Sequence, residues 1–127
     1  MLLLVGFIHL IPVSGVFGAE RLDSLYGLSF GEPNLEILMR HRAVLFALLG
    51  VFLIFAAFRP MFRTAAFIAG LISVVSFLWI AVSADSYNAQ VGRVVTADIV
   101  AMICLVVGFV AHIYAQSRTP TFISSQQ

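Results

Sequence analysis

Residues 33–60 read PNLEILMRHRAVLFALLGVFLIFAAFRP, and this stretch decides what kind of protein the chain is. Positions 43–58 form an apolar run of sixteen residues without a charge, while Glu36, Arg40, His41 and Arg42 crowd its leading edge. A helix needs about 20 predominantly apolar residues to cross a hydrocarbon core roughly 30 Å thick. This segment supplies that length and adds a charged collar where it would enter the membrane. Pro33 forces the chain before it to be extended, Asn34 is a good N-cap, and Pro60 predicts the stop.

The rest of the chain repeats the pattern. Of 127 residues, 61% are hydrophobic and 10% charged, with a mean hydropathy of +1.07. A soluble domain carries about 25% charged residues, so this chain cannot cover its surface with polar groups and must use lipid as its solvent. The expected architecture is all-α, an integral membrane four-helix bundle. It forms one domain over residues 1–115, with helices at about 1–19, 34–58, 64–84 and 94–115 and a mobile polar tail at 116–127. A net charge of +1 gives no reason to expect a nucleic-acid partner. The expected partner is the lipid bilayer.

The first run, residues 1–19, contains His9 and Pro12 and lacks the basic leading segment of a signal peptide. A retained helix, kinked at Pro12, is the expectation. Residues 20–33, ERLDSLYGLSFGEP, read as a short amphipathic turn at the interface, ended by Gly27 and with Tyr26 at headgroup level. In the third helix Ala65, Ala69 and Ser73 recur at i+4, as do Ala66 and Gly70. Such a small-residue seam lets a neighbouring backbone approach closely and offers a surface for a homo- or hetero-oligomer. Trp79 falls where an aromatic belt is expected. Four spans place both termini on one side with Arg59, Arg63 and Arg118, which predicts a cell (inner) membrane protein with cytoplasmic termini.

The candidate polar cluster comprises Glu36, Arg40, His41, Arg42 and Asp98. Counted along their helices, Arg40 lies about 9 Å past Asn34 and Asp98 about 7 Å past Arg93. A lipid-facing charge at a helix centre costs about 2.5–3.5 kcal/mol, and an ion pair of Asp98 with Arg40 or Arg42 would avoid much of that. Glu36 is spaced to pair with Arg40, whereas Arg42 lies about 200° around the helix from Arg40. Two readings compete: an anchoring or structural ion-pair cluster, and a ligand or proton site.

His9, Arg93 and His112 are secondary candidates. The two histidines lie at different depths, which argues for backbone or hydroxyl hydrogen bonds rather than a shared haem or metal. Tyr87, Asn88 and Gln90, beside Arg93, could complete a polar mouth with Arg40 and Asp98. The lone Cys104 reads as a small hydrophobe. No CxxC, HExxH, GxxxxGK[ST] or GxSxG occurs, so no catalytic residue, metal or cofactor is expected.

The segment MRHRAVLFALLGVFLIFAAFRP, the third helix with its serines, and RVVTADIVAMICLVVG together resemble small bacterial four-helix membrane proteins, broadly DoxX-like, over residues 25–112. That resemblance implies the four-helix fold and brings no active site with it. Some look-alikes carry the label phosphopantetheine adenylyltransferase, but such enzymes resemble soluble α/β proteins with an HxGH motif, which is missing here. The function expected is a non-enzymatic accessory or structural role. One alternative is a small membrane enzyme resembling microsomal glutathione transferases, although Val44 to Phe46 are apolar where that family has Asn and Glu. The other is a transporter-like or quinone-binding module.

Overall fold

A computed structural model describes residues 1–17, 24–27, 33–84 and 86–118. Every regular element among them is helical. They are α1 (Leu2–Leu10), a 3₁₀ segment (Ile11–Phe17), α2 (Pro33–Phe58), a 3₁₀ turn (Pro60–Phe62), α3 (Arg63–Ser83) and α4 (Ala89–Ser117). Three stretches, Pro33–Phe58, Pro60–Ser83 and Ala89–Ser117, are long and apolar enough to cross a membrane. At 1.5 Å per residue α2 is about 39 Å long and α4 about 44 Å, both longer than the roughly 30 Å core.

The first helix is shorter than expected. Instead of running through residues 1–19, it is α-helical only over Leu2–Leu10 and then tightens to 3₁₀. Pro12 is the cause, because it has no N–H to give the Ile8 carbonyl and its ring crowds that carbonyl. The Ile8 oxygen is taken instead by the N–H of Ile11.

Boundaries elsewhere follow capping chemistry. Pro33 is the first residue of α2, where its missing N–H costs nothing, so Asn34 lies inside the helix and does not cap it. At the other end Arg59 is extended (φ −123°, ψ 97°) as the residue before Pro60 must be. The fourth helix starts at Ala89, five residues before the expected Val94. Asn88 caps it, its side-chain oxygen accepting the Val91 N–H at 2.9 Å. The same amide donates to the Tyr26 carbonyl at 2.6 Å, which ties the segment around residues 24–27 to the start of α4. Gly27 turns that segment with φ +63°, a conformation that favours glycine. Residues 119–127, most of the expected tail, lie outside the described residues, while Gln116 and Ser117 are helical.

The helices pack in cyclic order: α1 on α2, α2 on α3, α3 on α4, and α4 back on α1. Val5, Leu53, Ala56, Ala66, Phe67, Val74, Ala101 and Leu105 meet in the shared core. The tightest seam is α1 on α2. A Cβ at Gly50 would stand 2.8 Å from the Gly6 carbonyl oxygen, and one at Gly6 would stand 3.0 Å from the Gly50 oxygen. The backbones therefore touch, which only glycine allows.

In α3 the small-residue seam divides. Ala66 and Gly70 face inward, with Leu105 methyls 3.2 Å from where a Gly70 Cβ would sit, whereas Ala65 is exposed. The close approach these residues permit is thus made within the chain. The outer surface stays apolar: Phe58, Ile72, Ile80, Val82 and Val110 are exposed, and Trp79 keeps 76% of its surface.

Three outcomes test this packing. Gly50→Ala should destabilise the protein by about 1–3 kcal/mol in detergent thermal unfolding, since the new methyl meets backbone. Gly92→Ala, whose Cβ would meet only the Tyr87 ring at 3.6 Å, should be neutral or gain up to about 1 kcal/mol. Asn88→Ala, which loses cap and tie together, should cost about 1–2 kcal/mol, and Asn88→Asp, which keeps the cap, should cost less in the same measurement.

Candidate functional site

The collar of α2 splits into two faces. Arg40 turns outward, where its Nη1 lies 3.3 Å from Glu36 Oε1 one turn earlier, as their spacing predicts. His41 is exposed as well. Arg42, about 200° around from Arg40, turns inward. Its guanidinium sits over the rings of Phe46, Phe77 and Tyr26, at 5.0, 5.4 and 5.7 Å from their centroids. An arginine needs such company to stay below the headgroups, because aromatic faces attract the cation while its stem remains in apolar surroundings.

Arg42 borders a cavity of about 270 Å³ at the end of the molecule opposite the termini. Four segments build it: α1 and its 3₁₀ extension, the residue 24–27 segment, α2 and α4. His9, Tyr26, Arg42, Phe46, Gln90 and Asp98 carry its chemistry, with Arg93 at the rim. Arg42 and Asp98 each lie nine residues into their helices, so both stand about 14 Å from the helix start. Splitting the excess length of α4 between its two ends would leave Asp98 about 7 Å inside the hydrocarbon.

Asp98 is 7% exposed and His9 2%. Asp98 feels the Arg42 charge, yet the only ion pair among the described residues is Arg40–Glu36. The expected partnership of Asp98 with Arg40 is not formed. Arg42 is the arginine that shares its cavity, and it does so without a direct salt bridge. Nor does the Asp98 carboxylate hydrogen-bond to any described residue.

His9 Nδ1 lies 2.9 Å from the Val5 carbonyl oxygen. A carbonyl only accepts, so Nδ1 carries the proton and, in the neutral ring, Nε2 is left as an acceptor. That Nε2 is buried and has no partner among the described residues. A buried polar atom without a partner calls for an explanation. Its ring packs on Phe46, 5.5 Å between centroids.

The Tyr26 ring is buried, 6% exposed, against Leu25, Met39, Val91 and Val94, a packing that the expectation of a headgroup-level residue did not include. Burial pushes its phenol above the ordinary value. Arg42 opposes that shift and Asp98 adds to it. Gln90 and Arg93 reach the cavity, as the polar-mouth reading anticipated, whereas Tyr87 stays exposed outside it and Asn88 serves as cap and tie. Phe46 and Phe77 were missed because an aromatic residue inside an apolar run gives no sign of the cation it faces.

His112 is at the other end, with Nε2 3.1 Å from both Thr64 Oγ1 and Gln116 Nε2. This is a structural hydrogen bond between α3 and α4, well away from the cavity. Among the described residues no three His, Cys, Asp or Glu side chains gather as a metal site. Cys104 is half-buried beside the core.

Compared with protein families, curated proteins and solved structures, the chain finds no match, so the site is read from its own chemistry.

Proposed function

We propose that the chain is a non-enzymatic integral membrane four-helix bundle, DoxX-like in architecture, that binds a small ligand in the cavity between His9, Arg42 and Asp98. The observation that carries this reading is the convergence of unpartnered polar groups from separate segments on one space. Asp98 and His9 Nε2 both lie there without a hydrogen bond from any described residue. A cluster kept for stability would satisfy its members, because a half-satisfied buried network is worse than an apolar core. A site that awaits a ligand leaves acceptors open, and the protein bears the cost in stability.

A purely structural ion pair is less well supported, since Arg42 leans on three aromatic rings and makes no salt bridge with Asp98. The membrane-enzyme alternative needs Arg40, His41 and Arg42 to act together, and they lie on different faces. In this proposal the chain resides in a cell (inner) membrane with both termini cytoplasmic and the cavity at the opposite leaflet, consistent with Arg59, Arg63 and Arg118 at the termini end.

Asp98→Leu separates the ligand and structural readings. With the ligand site, thermal stability in detergent should hold within about 1 kcal/mol or rise, because an unsatisfied polar group is removed. Loss of about 3–5 kcal/mol would mean that Asp98 is one half of a structural pair. For orientation, single cysteines at Tyr87 and Gln116 in a Cys104→Ala background should differ towards a membrane-impermeant thiol reagent on intact cells. The first should label and the second should not.

A further inference from the structure

A second space adjoins the cavity. It is a groove of about 510 Å³ between α2 and α3, lined by Leu45, Leu49, Phe77 and Ile80 together with Ser73 and Ser76. Arg42 and Phe46 line both spaces and are the partition between them. One side is a small chamber with polar groups and aromatic walls, and the other is an apolar trough on the outer surface of the helices. We propose that the two form one bipartite site for a single-chain amphiphile with a neutral phenolic head, the head seated in the chamber and the chain laid in the groove. This deepens the ligand-binding reading above and rests on it.

The head chemistry follows from the lining. His9 Nε2 is a buried acceptor without a described partner, and the Asp98 carboxylate in the same lining makes no hydrogen bond to a described residue, so a ligand that brings a hydroxyl donor fits. Arg93 and Gln90 at the same wall offer donors to the hydroxyl oxygen. An anionic head must meet the Asp98 carboxylate, held in the same chamber as the Arg42 charge. A cationic head is opposed by Arg42 and Arg93. The walls formed by His9, Tyr26 and Phe46 suit a flat ring. At about 270 Å³ the chamber falls just below the range of drug-sized pockets. It therefore has room for a ring and none for a chain, which must leave past Arg42 and Phe46 into the only adjoining apolar space described.

The test uses the purified full-length chain in nanodiscs, with empty nanodiscs as the partition blank, and measures binding of four probes. These are phenol, 4-dodecylphenol, its O-methyl ether and dodecyl phosphate. Phenol should bind weakly, 4-dodecylphenol more tightly, and the ether at least about tenfold more weakly than 4-dodecylphenol, because it has no O–H to donate to a buried acceptor. Ser76→Trp, which fills the groove, should weaken 4-dodecylphenol and leave phenol unchanged. His9→Leu, which leaves Asp98 as the remaining acceptor, should reduce the discrimination between 4-dodecylphenol and its ether, and if that variant does not fold, the ether comparison on the native chain decides. If phenol binds while chain and groove variant make no difference, the bipartite site is overturned and the cavity reading survives. A preference for dodecyl phosphate overturns the neutral phenolic head. If no probe binds, the proposal and the ligand reading beneath it both fall.

Discussion

The contact between Gly6 and Gly50 governs the rest of the structure. With no side chain on either residue, the α1 and α2 backbones touch, and the carbonyl of each lies where the other's Cβ would be. One turn towards the cavity from this crossing lie His9 on α1 and Phe46 on α2, whose rings meet at a tilt because the crossing sets their spacing. One further turn along α2 stands Arg42, over the Phe46 ring. The polar cavity is therefore built outward from a point of steric contact between two glycines, and its width depends on how closely two apolar helices can approach. The chemistry of the site begins in packing.

The two arginines of a single triplet show how lipid as solvent sorts charge. Arg40 takes the outward solution, within reach of Glu36. Arg42 takes the inward one and replaces hydration with three aromatic faces. The arrangement leaves Asp98 without a salt bridge even though a cation lines the same space. In an apolar medium that is a costly state to maintain, and the ligand proposed above would relieve it.

The long spans were legible in the sequence because an uninterrupted apolar run has one main explanation at that length. So was the divergence of Arg40 and Arg42, which needs only the helical repeat. The shortening of α1 was half legible: Pro12 announced a break, but the shift to 3₁₀ depends on which N–H takes up the Ile8 carbonyl. The early start of α4 was hidden because Asp85 to Arg93 has loop-like composition, and Asn88 becomes a cap only once its oxygen meets the Val91 N–H. Burial of Tyr26 was beyond reach, since it follows from the tie between its carbonyl and Asn88, 62 positions away. The chamber and groove were equally beyond it, because both are made by residues from different helices whose relation is set by packing.

The tie between Asn88 and Tyr26 has a mechanical consequence. It latches one side of the cavity end, joining the α1–α2 connection to α4, while the turn over Pro60–Phe62 joins α2 to α3 at the far end. The molecule is thus a clasp, pivoted at one end and fastened along one edge of the other. The edge between α2 and α3 has no such tie among the described residues at this end; there Arg42 reaches across to the Phe77 ring and, with Phe46, stands as the sill of the groove. Widening that edge breaks neither latch nor pivot and parts only Arg42 from the Phe77 ring, so a ligand of the kind proposed above would find its easiest way into the chamber sideways, between α2 and α3.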